Sequence, residues 1–215
     1  MRIINIMAAS VDGYVAVHPD QTDAERHMQG FSNETDWQNL LRHIRSADAV
    51  ILGASTLKAG GGVIEQARED GTYPIWVALT NKGIPPDHIF WKQSYAERWL
   101  VSSGELEFPD DSRAERVRNI VYNEQANVHA PVLATVNALR DAGCRRVLLL
   151  GGGGINRMFY DAGVVDELIL TVCPVLVARP DAVPLVQTGL TDLVHFRLHH
   201  VCSDKDLVFI HYKVI

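Results

Sequence analysis

Residues 146–159 read RVLLLGGGGINRMF, which is a strand-like apolar run, four glycines and the start of a helical segment. Valine and leucine without alternation are typical of a strand that is covered on both faces. Gly151, Gly152, Gly153 and Gly154 carry no side chains, so a ligand can approach the backbone closely, and the first N–H groups of the following helix carry partial positive charge. The stretch therefore predicts either an anion-binding cradle or a tight strand-to-helix turn.

The same order of strand and helix recurs along the chain before this stretch. The short apolar runs IINIMAA, AVIL, IWVAL, WLV and NIVY alternate with segments of other character. Such alternation indicates βαβ units around a largely parallel sheet with helices on both faces, which is an α/β fold. We predict helices at residues 35–47, 132–142 and 155–162, the last two ending at Gly143 and Gly163. Only strand-like runs follow the third helix, which predicts an antiparallel C-terminal hairpin.

Composition restricts the class of protein and of ligand. The 215 residues carry a net charge of −6, which argues against nucleic acid or an anionic membrane as partner and favours a small molecule. Length and an apolar fraction of 47% are typical of one globular domain, residues 1–215. We expect no membrane helix and no secretion signal, because the apolar runs are too short. Three distant cysteines without a C-x-x-C pair predict buried free thiols and a cytoplasmic location.

Two further loops at the ends of predicted strands carry groups that suit a phosphate. GAST follows AVIL, and TNK follows IWVAL, so glycine, hydroxyls, an amide and a lysine cation are available. Open α/β sheets bind ligands at the carboxyl ends of their strands, so the three loops together predict a site for a long phosphate-bearing cofactor. The residues of this predicted site are Gly53, Ala54, Ser55, Thr56, Thr80, Asn81, Lys82, Gly151, Gly152, Gly153, Gly154 and Ile155. Neither the G-x-G-x-x-G fingerprint nor a G-K-[ST] loop is present here, since Asn156 stands where a third glycine belongs.

Four blocks carry a family resemblance. In order, MAASVDGYVA, SADAVILGASTL, PIWVALTNKGIPP and LLLGGGGINRMFYDAGVVDELILTVCPVLV resemble the reductase domain of the bifunctional riboflavin deaminase-reductase and its stand-alone relatives. They also resemble dihydrofolate reductase in outline. The resemblance implies a dihydrofolate-reductase-like mainly parallel sheet with an antiparallel C-terminal strand, in a homodimer. It further implies that NADPH binds at the three loops and that a phosphoribosylamino-pyrimidine is reduced to the ribitylamino compound.

The chain departs from this family pattern in two places. The riboflavin reductases usually read E-G-G where this chain has Gly151, and ARPDAVPL replaces the usual glycine-rich stretch after P-V-L. These departures bear on the substrate more than on the fold or the cofactor. Reduction of dihydrofolate or another pterin-like compound is therefore the main rival activity, and an NADP-binding module without catalysis is the rival of another class.

Reduction of a C=N or C=O bond also needs a proton, and a carboxylate beside the pocket is the simplest donor. Asp12, in SVDG, matches a regular residue of the family, although the same sequence is a strand-ending turn in which Asp bonds its own backbone. Asp36, at the head of the first predicted helix, lies near the place where dihydrofolate reductase holds a buried carboxylate, although an acid there also favours the helix dipole. Glu34 is a weaker candidate of the same kind. Ser32 or Asn33 is expected to cap this helix.

Histidines and arginines offer alternatives that the pattern does not favour. Arg42, His43 and Arg45 are close enough in the first helix to meet a substrate phosphate, but a solvated helix face is the preferred interpretation. His199 and His200 point to opposite faces of a strand, and no carboxylate or thiolate stands at ligand spacing, so we expect no metal site.

Two long polar segments remain outside the predicted elements. Residues 17–34 are interpreted as a substrate loop, and residues 104–115 as a surface loop.

Overall fold

The computed structural model describes residues 1–109 and 116–215. Residues 110–115 of the predicted surface loop at 104–115 therefore lie outside the described residues. The strands are β1 (Arg2–Ser10), β2 (Tyr14–Ala16), β3 (Ala49–Gly53), β4 (Ile75–Leu79), β5 (Arg98–Ser102), β6 (Val117–Val121), β7 (Arg146–Leu149), β8 (Glu167–Cys173), β9 (Val183–Pro184), β10 (Phe196–Asp204) and β11 (Leu207–Val214). The helices are α1 (Asp23–Met28), α2 (Glu34–Arg45), α3 (Ala54–Ala59), α4 (Ala130–Asp141) and α5 (Gly153–Asp161), with a 3₁₀ turn at Ile89–Lys92.

A nine-stranded sheet forms the centre of the fold. Its strand order is β10-β11-β8-β1-β7-β3-β4-β5-β6, and the seven strands from β8 to β6 are parallel. β11 runs antiparallel to β8, and β10 runs antiparallel to β11. The mainly parallel sheet and the antiparallel C-terminal hairpin predicted from the sequence are both confirmed.

Helices cover both faces of this sheet, as predicted. Successive residues of a buried strand point to opposite sides, so each face presents apolar side chains that a helix can cover. On one face, Val50 of β3 packs in a cluster with Ile44 of α2 and Leu57 of α3. On the other face, Ile51 packs in a second cluster with Leu139 of α4. β3 is buried along its whole length, which explains why its sequence shows no alternation.

The three predicted helices are present with small shifts at their ends. Asn33 caps α2 by accepting a hydrogen bond on Oδ1 from the backbone N–H of Asp36 at 3.0 Å, which confirms one of the two predicted caps. Gly143 and Gly163 follow α4 and α5 with φ of +79° and +64°, a left-handed conformation that glycine adopts without strain.

Two helices were not predicted. Residues 17–34 were expected to be a loop, but they contain α1, which begins at a capping box in which Thr22 and Glu25 bond each other's backbone N–H. The GAST segment was expected to be a turn, but α3 begins at Ala54 directly after β3. Both helices are only six residues long. A helix this short does not repeat the apolar spacing by which longer helices are recognised in a sequence.

A strap of residues 183–187 connects two loops at one edge of the sheet. Its first part, β9, pairs with β2. Leu185 then donates its N–H to the carbonyl of Gly13 at 2.8 Å, and Gln187 donates its N–H to the carbonyl of Gly153 at 3.0 Å. The buried side chain of Asn156 donates to the Leu185 carbonyl at 2.7 Å. The strap therefore bonds both the turn after β1 and the first turn of α5.

Candidate functional site

The carboxyl ends of the parallel strands bring two of the predicted loops into direct contact. β3 and β7 are neighbours, and Gly53 donates its N–H to the Gly151 carbonyl at 2.8 Å. Gly152 donates its N–H to Oγ1 of Thr56 at 2.9 Å. The loop that contains Gly53 and the glycine loop, residues 151–155, thus form one surface at this edge.

The glycines in this surface differ in what surrounds them. Gly151 has φ of +76° and is joined to Gly152 by a cis peptide bond. A Cβ on Gly153 would lie 2.4 Å from the carbonyl oxygen of Pro184, and a Cβ on Gly154 would lie 3.1 Å from a side-chain oxygen of Gln187. Packing against the strap therefore accounts for these two glycines.

Gly152 is the exception. Among the described residues, a Cβ at this position would meet only Oγ1 of Thr56, at an ordinary contact distance of 3.5 Å. Its φ of −68° is also open to any residue. Neither packing nor backbone strain requires a glycine here, so the bare backbone of Gly152 leaves room for a ligand.

Two helix N-termini meet at the same surface. α5 begins after Gly152 and α3 begins after Gly53, and neither has a side-chain cap or an acidic residue in its first turn. The first N–H groups of a helix lack intrahelical partners and carry partial positive charge. This edge is therefore suited to an anion.

The third predicted loop follows β4, the next strand along the sheet. Oδ1 of Asn81 accepts hydrogen bonds from the N–H of Ser103 at 3.0 Å and from the hydroxyl of Tyr122 at 3.1 Å, so this side chain braces the ends of neighbouring strands. Thr80 accepts from the N–H of Lys82 at 3.2 Å and shapes the turn. The Lys82 side chain is exposed and supplies a cation at the surface.

A cavity of about 330 Å³, here called the α2 cavity, lies between α2 and the sheet. Its walls are mainly apolar and include Ile6, Leu40, Leu52, Ile64 and Leu150. Thr56 lines it as well, so the α2 cavity and the glycine loop adjoin through one side chain. The other polar lining residues are Asp23, Arg26, His27, Ser32, Asn33, Glu34, Asp36 and Asn39.

Among the carboxylates that line the α2 cavity, Asp36 is the one whose pKa is shifted by burial. Burial raises the pKa of Asp36, because the charged form loses solvation. Hydrogen bonds from the side chains of Thr171 and Ser32 and the charge of Arg26 act in the opposite direction but do not cancel the effect. Asp36 therefore retains its proton to a higher pH than an exposed aspartate does.

Asp12 lies in a different environment, outside the lining of the α2 cavity. It is exposed and accepts hydrogen bonds from the Ser10 hydroxyl at 2.6 Å and from the N–H groups of Val177 at 3.2 Å and Ala178 at 2.8 Å. These bonds, the one from Ser10 foremost, lower the pKa of Asp12. Asp12 is thus an ionised group that fastens the loop after β8 to the turn after β1. Glu34 is exposed at the start of α2 and accepts from the Gln38 amide at 2.7 Å.

Sequence reasoning missed two polar residues of the α2 cavity, Arg26 and Trp76. Nε of Arg26 and Nε1 of Trp76 are buried and have no hydrogen-bond partner within residues 1–109 and 116–215. The capping-box pattern T-D-A-E, from Thr22 to Glu25, is the signal that places Arg26 on a helix. No signal marks Trp76, because in IWVAL it is simply one more apolar residue of a buried strand.

His43 corrects the expectation of a solvated helix face. It lines a second cavity, of about 410 Å³, between α2 and the C-terminal hairpin. Nη2 of Arg146 donates to its Nδ1 at 3.0 Å, and burial, followed by the charge of Arg146, lowers the pKa of His43 to about 4. Arg42 and Arg45 are exposed, as expected.

The three cysteines differ in their exposure. Cys144 and Cys173 are buried free thiols, but Cys202 is exposed on β10, so its predicted burial was wrong. His211 pairs with Glu167 at 2.8 Å. In the described part of the chain, no three potential ligands lie close enough together to hold a metal ion. Among the same residues, no helix combines the length and the apolar character that crossing a bilayer requires.

Comparison with known proteins places this geometry in a family. The model of the RibD C-terminal domain family matches residues 2–209. The 2,5-diamino-6-ribosylamino-4(3H)-pyrimidinone 5′-phosphate reductase of Methanothermobacter thermautotrophicus is 25% identical over 183 residues, which cover 83% of this chain and 80% of that protein.

Solved structures agree on the fold. A pyrimidine reductase-like protein from Corynebacterium diphtheriae superposes with a TM-score of 0.79 at 20% identity, over 100% of this chain and 92% of that one. The diaminohydroxyphosphoribosylaminopyrimidine deaminase/5-amino-6-(5-phosphoribosylamino)uracil reductase of Thermotoga maritima gives 0.75 at 15% identity, over 100% of this chain but 56% of that longer one. The family match over nearly the whole chain confirms the resemblance seen in the sequence blocks, and this chain therefore belongs to the RibD C-terminal domain family.

Proposed function

We propose that this protein is an NADPH-dependent reductase of riboflavin biosynthesis that acts on a phosphoribosylamino-pyrimidine of the 5-amino-6-(5-phosphoribosylamino)uracil type. The observation that carries the proposal is the contact at Thr56, which touches the glycine loop and lines the α2 cavity. A cofactor held at the loop and a substrate held in the cavity meet there. The family and the named activity of the Methanothermobacter relative support the same reaction.

The proposed cofactor site consists of residues 53–56, 80–82 and 151–155. The open space beside Gly152 and the two uncapped helix N-termini suit the pyrophosphate of a dinucleotide. Lys82, with Ser55 or Thr80, is assigned to the 2′-phosphate that distinguishes NADPH from NADH. When bound, NADPH supplies the hydride for the reduction.

Asp36 is the proposed proton donor. It lines the α2 cavity, and burial raises its pKa, so its carboxyl keeps a proton to higher pH than an exposed aspartate does, which suits a general acid. Asp12 is the second candidate, but its lowered pKa and its three hydrogen bonds favour a supporting role for it. In this mechanism the chain excludes water with the apolar walls of the α2 cavity and delivers the proton from the carboxyl of Asp36.

Reduction of dihydrofolate or another pterin-like ring is the second candidate function. The partly buried position of Asp36 on α2 favours it, as does Gly151 in place of the usual glutamate. An NADP-binding module is the proposal of another class, and it predicts binding of NADPH without turnover.

A cytoplasmic homodimer is the proposed state of the protein. On the hairpin, Leu198, Val201 and Val208 are exposed by 54%, 49% and 37%, and they lie on the same side of the sheet. An apolar sheet face of this kind is typical of a docking surface, and a second copy is its proposed occupant. Light scattering after gel filtration tests this, because Val201→Asp should convert a dimer to a monomer and an unchanged mass would contradict the proposal.

NADPH oxidation tests the reaction itself. The purified protein is mixed with NADPH and, in separate assays, with the phosphoribosylamino-pyrimidine and with dihydrofolate. Loss of absorbance at the nicotinamide band with the pyrimidine alone supports the first function, and loss with dihydrofolate alone supports the second. NADPH binding without oxidation in either assay would replace both with the binding module.

A further inference from the structure

Two residues that line the α2 cavity carry buried hydrogen-bond donors that are unpaired in the described protein. Trp76 is 1% exposed, and its Nε1–H has no partner in residues 1–109 or 116–215. Burying a donor without an acceptor costs free energy, and native proteins rarely leave one so. Trp91 illustrates the usual arrangement, because it is equally buried and donates its Nε1–H to the Pro85 carbonyl at 2.7 Å.

A second unpaired donor lines the same cavity. Nε of Arg26, on α1, is also buried without a partner in the described chain, and the ion pair of Arg26 with Asp23 is long, at 3.5 Å. Four such nitrogens occur among the described side chains, and two of them belong to residues that line the α2 cavity. These two donors differ from the other polar lining groups, such as Ser32, Asp36 and Asn39, in that they are buried and unpaired in the described chain.

We propose that Trp76 is a specificity-determining residue whose Nε1–H donates a hydrogen bond to a carbonyl oxygen of a flat heterocyclic substrate. This inference rests on the proposed function in one respect, namely that the α2 cavity holds the substrate. β4 places Trp76 on the face of the sheet beneath α2, so the indole forms part of the cavity floor. Arg26 supplies the second donor from the side of α1.

The arrangement selects for carbonyl-bearing rings. A hydrocarbon or an aniline of the same shape as the substrate ring can pack against the apolar walls formed by Ile6, Leu52 and Leu150. Neither offers an acceptor, so the Trp76 donor stays unpaired. Sites that are built to hydrogen-bond a substrate group discriminate strongly against analogues that lack it. A pyrimidinone or a pterin satisfies both the walls and the donor, which is consistent with either of the two proposed reductions.

Indole N–H signals in the NMR spectrum test this without any turnover. The chain has four tryptophans, and Trp76→Phe identifies the signal of Trp76. The protein is titrated with 6-aminouracil, which has ring carbonyls, and separately with aniline, which has none. We expect 6-aminouracil to move the Trp76 signal downfield and aniline to leave it in place. The Trp76→Phe variant should bind 6-aminouracil about tenfold more weakly, with unchanged NADPH affinity.

Thermal stability separates this role from a structural one. Trp76→Phe and Trp91→Phe both shrink a buried indole to a phenyl ring, but only Trp91→Phe also loses a hydrogen bond, so the melting temperature should fall less in Trp76→Phe. Trp91→Phe removes a paired donor, so it should melt at a lower temperature and still bind 6-aminouracil normally.

Two results would overturn the inference. They are a Trp76 signal that does not move with 6-aminouracil and equal binding of 6-aminouracil by wild type and Trp76→Phe. If the Trp76 signal moves but NADPH is never oxidised, the inference stands and the proposed reaction fails.

Discussion

Replacing Gly152 by valine separates cofactor binding from folding. The new Cβ would lie 3.5 Å from Oγ1 of Thr56, and φ of −68° suits any residue, so the fold accepts the side chain. Its methyl groups would occupy the space assigned to the pyrophosphate. Loss of two charge-assisted hydrogen bonds at about 1.5 kcal/mol each removes about 3 kcal/mol, so the Kd for NADPH should rise about 150-fold. Isothermal titration calorimetry measures this directly.

Two other glycines provide the controls. Gly104→Val should change neither Kd nor stability, because no atom of the described residues lies within 4 Å of a Cβ at this position. Gly153→Ala should lower the free energy of unfolding by about 1–3 kcal/mol, because its Cβ would lie 2.4 Å from the Pro184 carbonyl oxygen. A Gly152→Val protein with wild-type melting temperature and wild-type Kd would refute the assignment of the pyrophosphate to the glycine loop.

Three further predictions concern charged groups. If Asp36 donates the proton, single-turnover NADPH oxidation should slow as pH rises through its raised pKa. Asp36→Asn should lose this pH dependence and react about 10²- to 10⁴-fold more slowly. If Asp12→Asn shows both effects and Asp36→Asn shows neither, the two assignments must be exchanged. Lys82→Ala should weaken NADPH about tenfold and leave NADH unchanged, as judged by fluorescence titration; an equal loss for both cofactors would count against the 2′-phosphate contact. His43 stays neutral in the folded protein down to about pH 4, so the stability that depends on its neutral form is lost as pH falls from about 6.5 to about 4. Urea unfolding should show that His43→Gln loses less, by roughly 2 kcal/mol after allowing for partial exposure.

The parts of the fold that could be predicted from the sequence are those marked by a local pattern of residues. Buried runs such as AVIL became parallel strands, and Gly143 and Gly163 ended helices where the left-handed conformation was expected. Both signals are local, so neighbouring residues suffice to detect them. The antiparallel hairpin followed from the same kind of signal, since its two strands are consecutive in the chain.

The candidate site was harder to predict because it depends on contacts between distant residues. The three loops were found as patterns, but only the structure separates Gly152, which faces open space, from Gly153, which packs on the strap. Likewise, Asp12 and Asp36 are both aspartates beside apolar segments, and burial distinguishes them. Trp76 carries no local signal at all, because the absence of a partner for its N–H is a property of the whole cavity.

The strap has a consequence for local unfolding. Its amides at Leu185 and Gln187 are bonded to Gly13 and Gly153, so the strap joins the turn after β1 to the start of α5. Segments joined in this way open as one cooperative unit. Hydrogen exchange at the amides of Leu185 and Gln187 should therefore proceed with a common opening free energy. The turn after β1 and the start of α5, although about 140 residues apart in the chain, form a single unit in the thermal fluctuations of the protein.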